Sequence, residues 1–237
     1  MSLIPRAEVD RLKAAAAQAA AALVEHEQIV GLGSGSTALR AVSILAQRVS
    51  DGLRIIGIPT SERTEGEARR LGIPLSTLAE HDHIDVTIDG ADEVEVGSLN
   101  LLKGRGGALL REKIIASATE QLIIVVDETK LVDRLGVQGP VAVEVVPFAW
   151  NATARKLQSL GADLARRTTG EGQPFITDGG HYILDCAFGA IDDPEQLQRQ
   201  LDRMVGVVEH GVFLGLASRV IVGGARGVHV LQSTRND

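Results

Sequence analysis

The sequence predicts an α/β fold, a mostly parallel sheet domain with a smaller α+β domain inserted near its C-terminal end. Three observations carry this. Up to about residue 138, short β-branched apolar runs alternate with helical stretches, the pattern of βαβ units on a parallel sheet. Over 139–211 the order becomes β-α-β-β-α-β, the split βαβ or ferredoxin-like arrangement. Two further strand-like runs, Arg219–Val222 and Val228–Leu231, then return the chain to the first domain. The large domain is thus expected to hold 1–138 and 212–237, and the small one 139–211.

Residues 7–28 read as a helix, rich in Ala, with Val9, Leu12, Leu23 and Val24 as its larger apolar residues. Ile29–Leu32 is a short buried strand that runs into Gly33–Thr37, and Ala38–Val42 opens a second helix; strand, Gly/Ser turn and helix begin a βαβ unit. Leu53–Ile58 is the next strand, ended by Pro59, followed by a helix over Glu62–Leu71 and a strand over Ile84–Ile88. Ala108–Ala118 is helical and Leu122–Val126 is a strand. In the second part, Val141–Val146 is a strand and Ala149–Leu160 a helix. Ala162–Thr168 and Tyr182–Phe188 pair as antiparallel strands, with Asp178-Gly179-Gly180 as a turn signal. Pro194–Val205 is a helix with Pro in its first turn, and Val207–Phe213 is the last strand of this part.

Composition narrows the function classes. A formal net charge of −7, with one Trp, one Tyr and four Phe, argues against a nucleic-acid partner, which needs a basic face and stacking platforms. No apolar run approaches about 18 residues, so no membrane span is expected. Asp10, Arg11 and Lys13 precede the Ala-rich stretch, unlike a signal peptide. The single Cys186 makes no internal disulfide, which fits a cytoplasmic protein, and reads as a small buried hydrophobe.

Three segments carry chemistry. In Gly31-Leu32-Gly33-Ser34-Gly35-Ser36-Thr37, glycines admit close approach to the backbone, and free N–H groups at a helix start attract an anion. The dinucleotide fingerprint fails at Ser36, the acids near the second strand are Asp51 before it and Glu62 a few residues past its end, a weak match for the ribose-binding acid, and no Lys completes a P-loop. A phosphate or sugar-phosphate site is the reading; the alternative is a tight turn capped by Ser or Thr. Asp89-Gly90-Ala91-Asp92-Glu93 follows a strand at the end where open parallel sheets bind ligands. Its acids suit sugar hydroxyls or proton transfer, the metal pattern being absent; a solvated turn is the alternative. His81 and His83 fall at the opposite end, as exposed loop residues.

Lys103-Gly104-Arg105-Gly106-Gly107 is a cationic loop feeding a helix, again suited to an anion. On that helix Glu112 has Ala108, Leu109, Ile115 and Ala116 at i−4, i−3, i+3 and i+4, all apolar. Desolvation would raise its pKa toward that of a base working near neutrality. The alternative is a boundary Glu paired with Arg111 or Lys113. Lys130 adds a cation past another strand end, or is a solvated loop lysine.

Together, Gly31–Thr37, Pro59-Thr60-Ser61, Ile88–Glu93, Lys103–Lys113, Asp127–Lys130, Gly179–Cys186 and Val208-Glu209-His210-Gly211 resemble, in order, the type A ribose-5-phosphate isomerases. The resemblance implies a Rossmann-like domain plus a small α+β domain used in oligomer contacts, hence a homo-oligomer, dimer or tetramer. It implies interconversion of D-ribose 5-phosphate and D-ribulose 5-phosphate in the non-oxidative pentose phosphate pathway, through an enediolate, without metal or nucleotide cofactor. Glu112 would be the proton acceptor. Ser34, Gly35, Ser36, Thr37, Asp89, Gly90, Ala91, Asp92, Lys103, Gly104, Arg105, Gly106 and Lys130 would contact the substrate. Asp89 or Asp92 would assist ring opening, Lys103 would stabilise the oxyanion, and Ser36, Thr37 and Lys130 would hold the phosphate. Arg105 stands where Gly is the more usual residue. The alternatives are an amino-sugar-phosphate deaminase of related fold, told apart by ammonia release, and a non-catalytic sugar-phosphate sensor, for which no DNA-binding segment is spare.

Overall fold

Small side chains set the position of the first helix, α1 (Arg6–Ala21), which buries Leu12, Ala16, Ala17 and Ala20 against the main sheet. The computed structural model describes residues 5–232; the outermost parts of the expected large domain, 1–4 and 233–237, lie outside the described residues. After α1 come β1 (Gln28–Leu32), α2 (Gly35–Ser50), β2 (Ile55–Pro59), α3 (Glu62–Arg70), β3 (Ile84–Asp89), β4 (Glu93–Glu95), β5 (Leu101–Leu102), α4 (Leu109–Ser117), β6 (Thr119–Asp127) and β7 (Leu131–Val132). The chain continues through β8 (Val141–Val145), α5 (Trp150–Ser159), β9 (Asp163–Arg166), β10 (Tyr182–Ala187), α6 (Pro194–Asp202), β11 (Val207–His210), β12 (Val212–Phe213), β13 (Arg219–Gly224) and β14 (Gly227–Leu231).

The main sheet has the order β14-β13-β6-β3-β1-β2, parallel except for β14 at one edge. Its central strands β6 and β13 are apolar on both faces (Ile123 to Val126 and Val220 to Val222, all buried), as a sheet covered on both sides requires. The order reverses between β1 and β3, the switch point beyond which doubly wound sheets bind ligands. A second, antiparallel sheet, β11-β8-β10-β9, lies within 141–210 and has the ferredoxin-like order. Its own core includes Val143, Val145, Leu157, Leu184, Cys186 and Leu201.

Three expectations are corrected. The first helix ends at Ala21 rather than 28, because Glu27 takes a left-handed φ of 65° and Gln28 already pairs with Ile55. The strand expected over Val207–Phe213 is two: a Cβ on Gly211 would lie 2.0 Å from Lys103 O, so the chain breaks there and β12 joins a different sheet. That third sheet, β12-β5-β4-β7, was not foreseen; strands of two or three residues leave no alternation to read. His83 is exposed as expected, whereas His81 is half-buried. Among the described residues no helix is long and apolar enough to cross a membrane.

Candidate active site

The switch point is built by a close approach. Gly33 N–H donates to Ile88 O at 3.0 Å, and a Cβ on Gly33 would fall 2.4 Å from both Ile88 O and Asp89 Oδ1, so only glycine fits. The turn delivers Ser34 N–H to Asp89 Oδ1 (3.0 Å), which also accepts from Gly90 N–H (2.7 Å). Ser34 is the N-cap residue of α2 but makes no capping bond. Its hydroxyl bonds Thr60 (2.8 Å) and Ser61 (2.9 Å), knitting β1 to the end of β2. The first turn of α2, Gly35-Ser36-Thr37, faces a cavity of about 320 Å³ with its N–H groups outside the helical ladder.

The floor of the cavity is a buried charge cluster. Lys103 Nζ donates to Gly90 O (2.5 Å) and lies 3.0 Å from Asp89 Oδ2 and 3.3 Å from Glu112 Oε2. All three side chains are less than a tenth exposed. Glu112 sits where its sequence neighbours place it, with Leu109, Ile115 and Ala116 buried around it. It pairs with neither Arg111 nor Lys113: Arg111 reaches Glu62 (3.2 Å) and Lys113 reaches Glu209 (2.6 Å). Burial pushes the Glu112 carboxyl up to about 7; the Lys103 ammonium pulls against this and Asp89 adds to it. Burial alone would lower the Lys103 pKa, but Asp89 and Glu112 more than reverse that, so it stays charged. The cluster thus holds two carboxyl groups against one ammonium.

The other end of the cavity is cationic. Lys130 stands on a single 3₁₀ turn, Glu128–Lys130, whose Thr129 N–H is capped by Asp127 Oδ1 (3.1 Å). Burial lowers the Lys130 pKa, and the nearby Arg105 lowers it further. Lys13 reaches in from α1, donating to Ser36 Oγ at 3.4 Å and lying 4.0 Å from the buried Asp127 Oδ2. Between the two ends, Asp92 accepts from Arg105 N–H at 2.8 Å, and the exposed Arg105 guanidinium lies 3.8 Å from it.

The structure therefore brings the three sequence segments together. Ser34 to Thr37, Gly90 to Asp92, Lys103 to Gly106, Glu112 and Lys130 all line this one cavity. Asp89 does not line it; it lies beneath the floor, behind Lys103. Lys13 and Asp127 line the cavity and were not among the expected site residues, although Asp127 opens one of the segments that carry the resemblance. Asp127 had a signal, being an acid at the carboxyl end of a parallel strand; Lys13 had none, since its helix meets the cavity only through tertiary packing. The arrangement offers a proton acceptor near neutrality, a fixed cation beside it, and lysines, hydroxyls and a helix N-terminus for an anion.

A family model described as ribose 5-phosphate isomerase A (phosphoriboisomerase A) matches residues 56–227. The chain is 59% identical over 224 residues to ribose-5-phosphate isomerase A of Gloeobacter violaceus, covering 94% of this chain and 97% of that protein. It is 54% identical over 229 residues to the protein of the same name from a Synechococcus species, covering 96% and 100%. Among solved structures, a D-ribose-5-phosphate isomerase in complex with phospho-erythronic acid superposes with a TM-score of 0.91 at 40% identity, over 94% of this chain and 99% of that one. The ribose 5-phosphate isomerase A of Methanocaldococcus jannaschii superposes with a TM-score of 0.91 at 38% identity, over 94% and 99%.

Proposed function

The chain belongs to the ribose 5-phosphate isomerase A family, and from that premise we propose how its cavity interconverts D-ribose 5-phosphate and D-ribulose 5-phosphate. The enzyme is an aldose–ketose isomerase. The observation that carries the mechanism is the buried cluster of Glu112, Lys103 and Asp89 at one end of a cavity whose other end is cationic. Glu112, with its pKa raised to about 7, takes the proton from C2 and returns it to C1. Lys103, charged and fixed by three contacts, faces the oxygen that becomes negative in the enediolate. Asp92 has access to the sugar, since it lines the cavity, and moves protons at the ring oxygen and between O1 and O2. Asp89 acts behind it by holding Lys103. Ser36, Thr37, the α2 N-terminus, Lys130 and Lys13 hold the phosphate, so that binding energy away from the reacting carbons positions them.

The test is Glu112→Gln. It is expected to bind ribose 5-phosphate normally and to lose about 10²–10⁴-fold in turnover, the worth of general base catalysis. Turnover within tenfold of wild type would remove Glu112 from the role.

The same reading includes a ferredoxin-like α+β domain over 139–211, which contains the whole antiparallel sheet with α5 and α6, beside a large domain of 1–138 and 212–237. It includes a cytoplasmic location and a homo-oligomer, dimer or tetramer. Phe148 and Val205 support the latter: they are 89% and 80% exposed, on loops of the small domain joined by the Val146 N–H to Gly206 O bond, and large apolar side chains so exposed suit contact with a second copy. Sedimentation as a monomer at micromolar concentration would refute the oligomer.

A further inference from the structure

The residues on either side of Glu112 tie its helix to the inserted region. Arg111 donates to Asp178 O at 3.3 Å, in the turn before β10. Lys113 is held more tightly: its ammonium donates to Glu209 Oε1 (2.6 Å) and His210 O (2.7 Å) and lies 4.8 Å from the Phe213 ring centroid. Behind it, Val212 N–H donates to His210 Nδ1 (3.2 Å), which makes Nδ1 the acceptor and leaves the Nε2 proton for Asp202 (2.9 Å). Burial and the Lys113 charge hold the His210 pKa down, consistent with that neutral tautomer. Asp202, Glu209 and His210 have ligand atoms within 4.8 Å of one another. The Lys113 ammonium already serves there as the cation.

The same short segment also grips Lys103. Gly211 O accepts from Lys103 N–H at 2.8 Å, and the buried Phe213 ring has the Lys103 ammonium 5.7 Å from its centroid, as well as that of Lys113. Residues 209–213 are therefore common ground for the base's helix and for the cation beside the base. We propose that Lys113 is a positioning residue for the isomerisation, locking α4 onto this segment so that Glu112 and Lys103 keep their relative placement. This rests on the reading of Glu112 as the base. A displacement of about 1 Å in such a pair costs on the order of 10²-fold in rate.

The experiment compares Lys113→Met, which keeps a long apolar stem on Phe213, with Glu112→Gln. The readouts are kcat, KM for ribose 5-phosphate, affinity for phospho-erythronic acid (whose planar carboxylate imitates the enediolate) and melting temperature. The expected result for folded Lys113→Met is a kcat lower by about 10–100-fold, KM changed less than about threefold, and a fall in affinity for the acid that follows kcat. A kcat within about threefold of wild type, or a KM that rises as kcat falls, would overturn the proposal. A second variant, Lys113→Met with Glu209→Leu, removes both half-buried charges and separates stability from positioning, also if the single variant fails to fold. Melting temperature near wild type with kcat still low supports positioning; recovery of kcat together with melting temperature overturns it. If Glu112→Gln keeps its turnover, the base assignment itself fails, whatever Lys113→Met does; if Glu112→Gln is inactive and Lys113→Met is not, only the positioning role falls.

Discussion

Replacing Glu112 by Gln should make the protein more stable at pH 8. The buried cluster sets two carboxyl groups against one ammonium, so ionising Glu112 leaves a surplus charge away from water. The folded-state pKa is raised from 4.5 to about 7. The sign follows from linkage. Well below pH 4.5 the carboxyl is protonated in both states and costs nothing; between about 4.5 and 7 the unfolded chain releases a proton that the folded one keeps, so the cost grows over that range and is constant above it. With about 1.4 kcal/mol for each tenfold change in the ionisation constant, the cost at pH 8 is on the order of 3 kcal/mol, and at pH 5 less than about 1 kcal/mol. Gln imitates the neutral carboxyl and can still accept from Lys103. For a chain of this length the gain at pH 8 corresponds to roughly 6–12 °C in Tm. Calorimetry of both proteins at pH 5 and pH 8 measures it. An equal or lower Tm for the variant at pH 8, or a difference independent of pH, would refute the picture of an ion held at a cost.

Two other expectations follow from the same geometry. With Glu112 as the proposed base, working as the carboxylate, kcat/KM should be flat above about pH 7 and fall roughly tenfold per pH unit below it; an acid limb near pH 4.5, measured with the phosphate's own titration accounted for, would contradict the raised pKa. Gly33→Ala should destabilise by about 1–3 kcal/mol or more and cut turnover, since the added methyl falls on backbone and on the Asp89 carboxylate; a wild-type denaturation midpoint and rate would show that the approach of β1 to β3 can relax.

Where the sequence was informative, the physics was local. The apolar residues three and four positions from Glu112 put it on the face by which its helix packs. The Gly/Ser turn after β1 and the acids after β3 sit at strand ends, and the parallel order then carries them to one switch point. What was not legible depends on distant partners. Lys13 is one of many exposed-looking helix positions until α1 docks on β6 and β13. The pairing of Glu112 with Lys103, rather than with adjacent Arg111 or Lys113, depends on where residues 62, 178 and 209 finish. Nor does anything local separate Asp89 from Asp92; the two N–H groups and the ammonium that draw Asp89 under the floor come from three different turns.

The main sheet has a consequence for how the molecule is made. β13 pairs with β6, Ile221 opposite Val125, although the whole antiparallel region lies between them in the chain. Contacts of such sequence separation close late, since a long loop must be ordered before they form. α1 packs on that same strand, closely enough that a Cβ on Gly223 would lie 2.1 Å from Leu12 O. The part of its apolar face that meets β13 therefore waits during synthesis for residues 219–224, while α2 and β6 are already there to receive the rest. Lys13 rides on α1, so the cationic end of the cavity reaches its final form only when residues 219–224 have paired. Nascent chains that stop short of them should have Glu112 and Asp92 in place and bind ribose 5-phosphate more weakly than the whole chain.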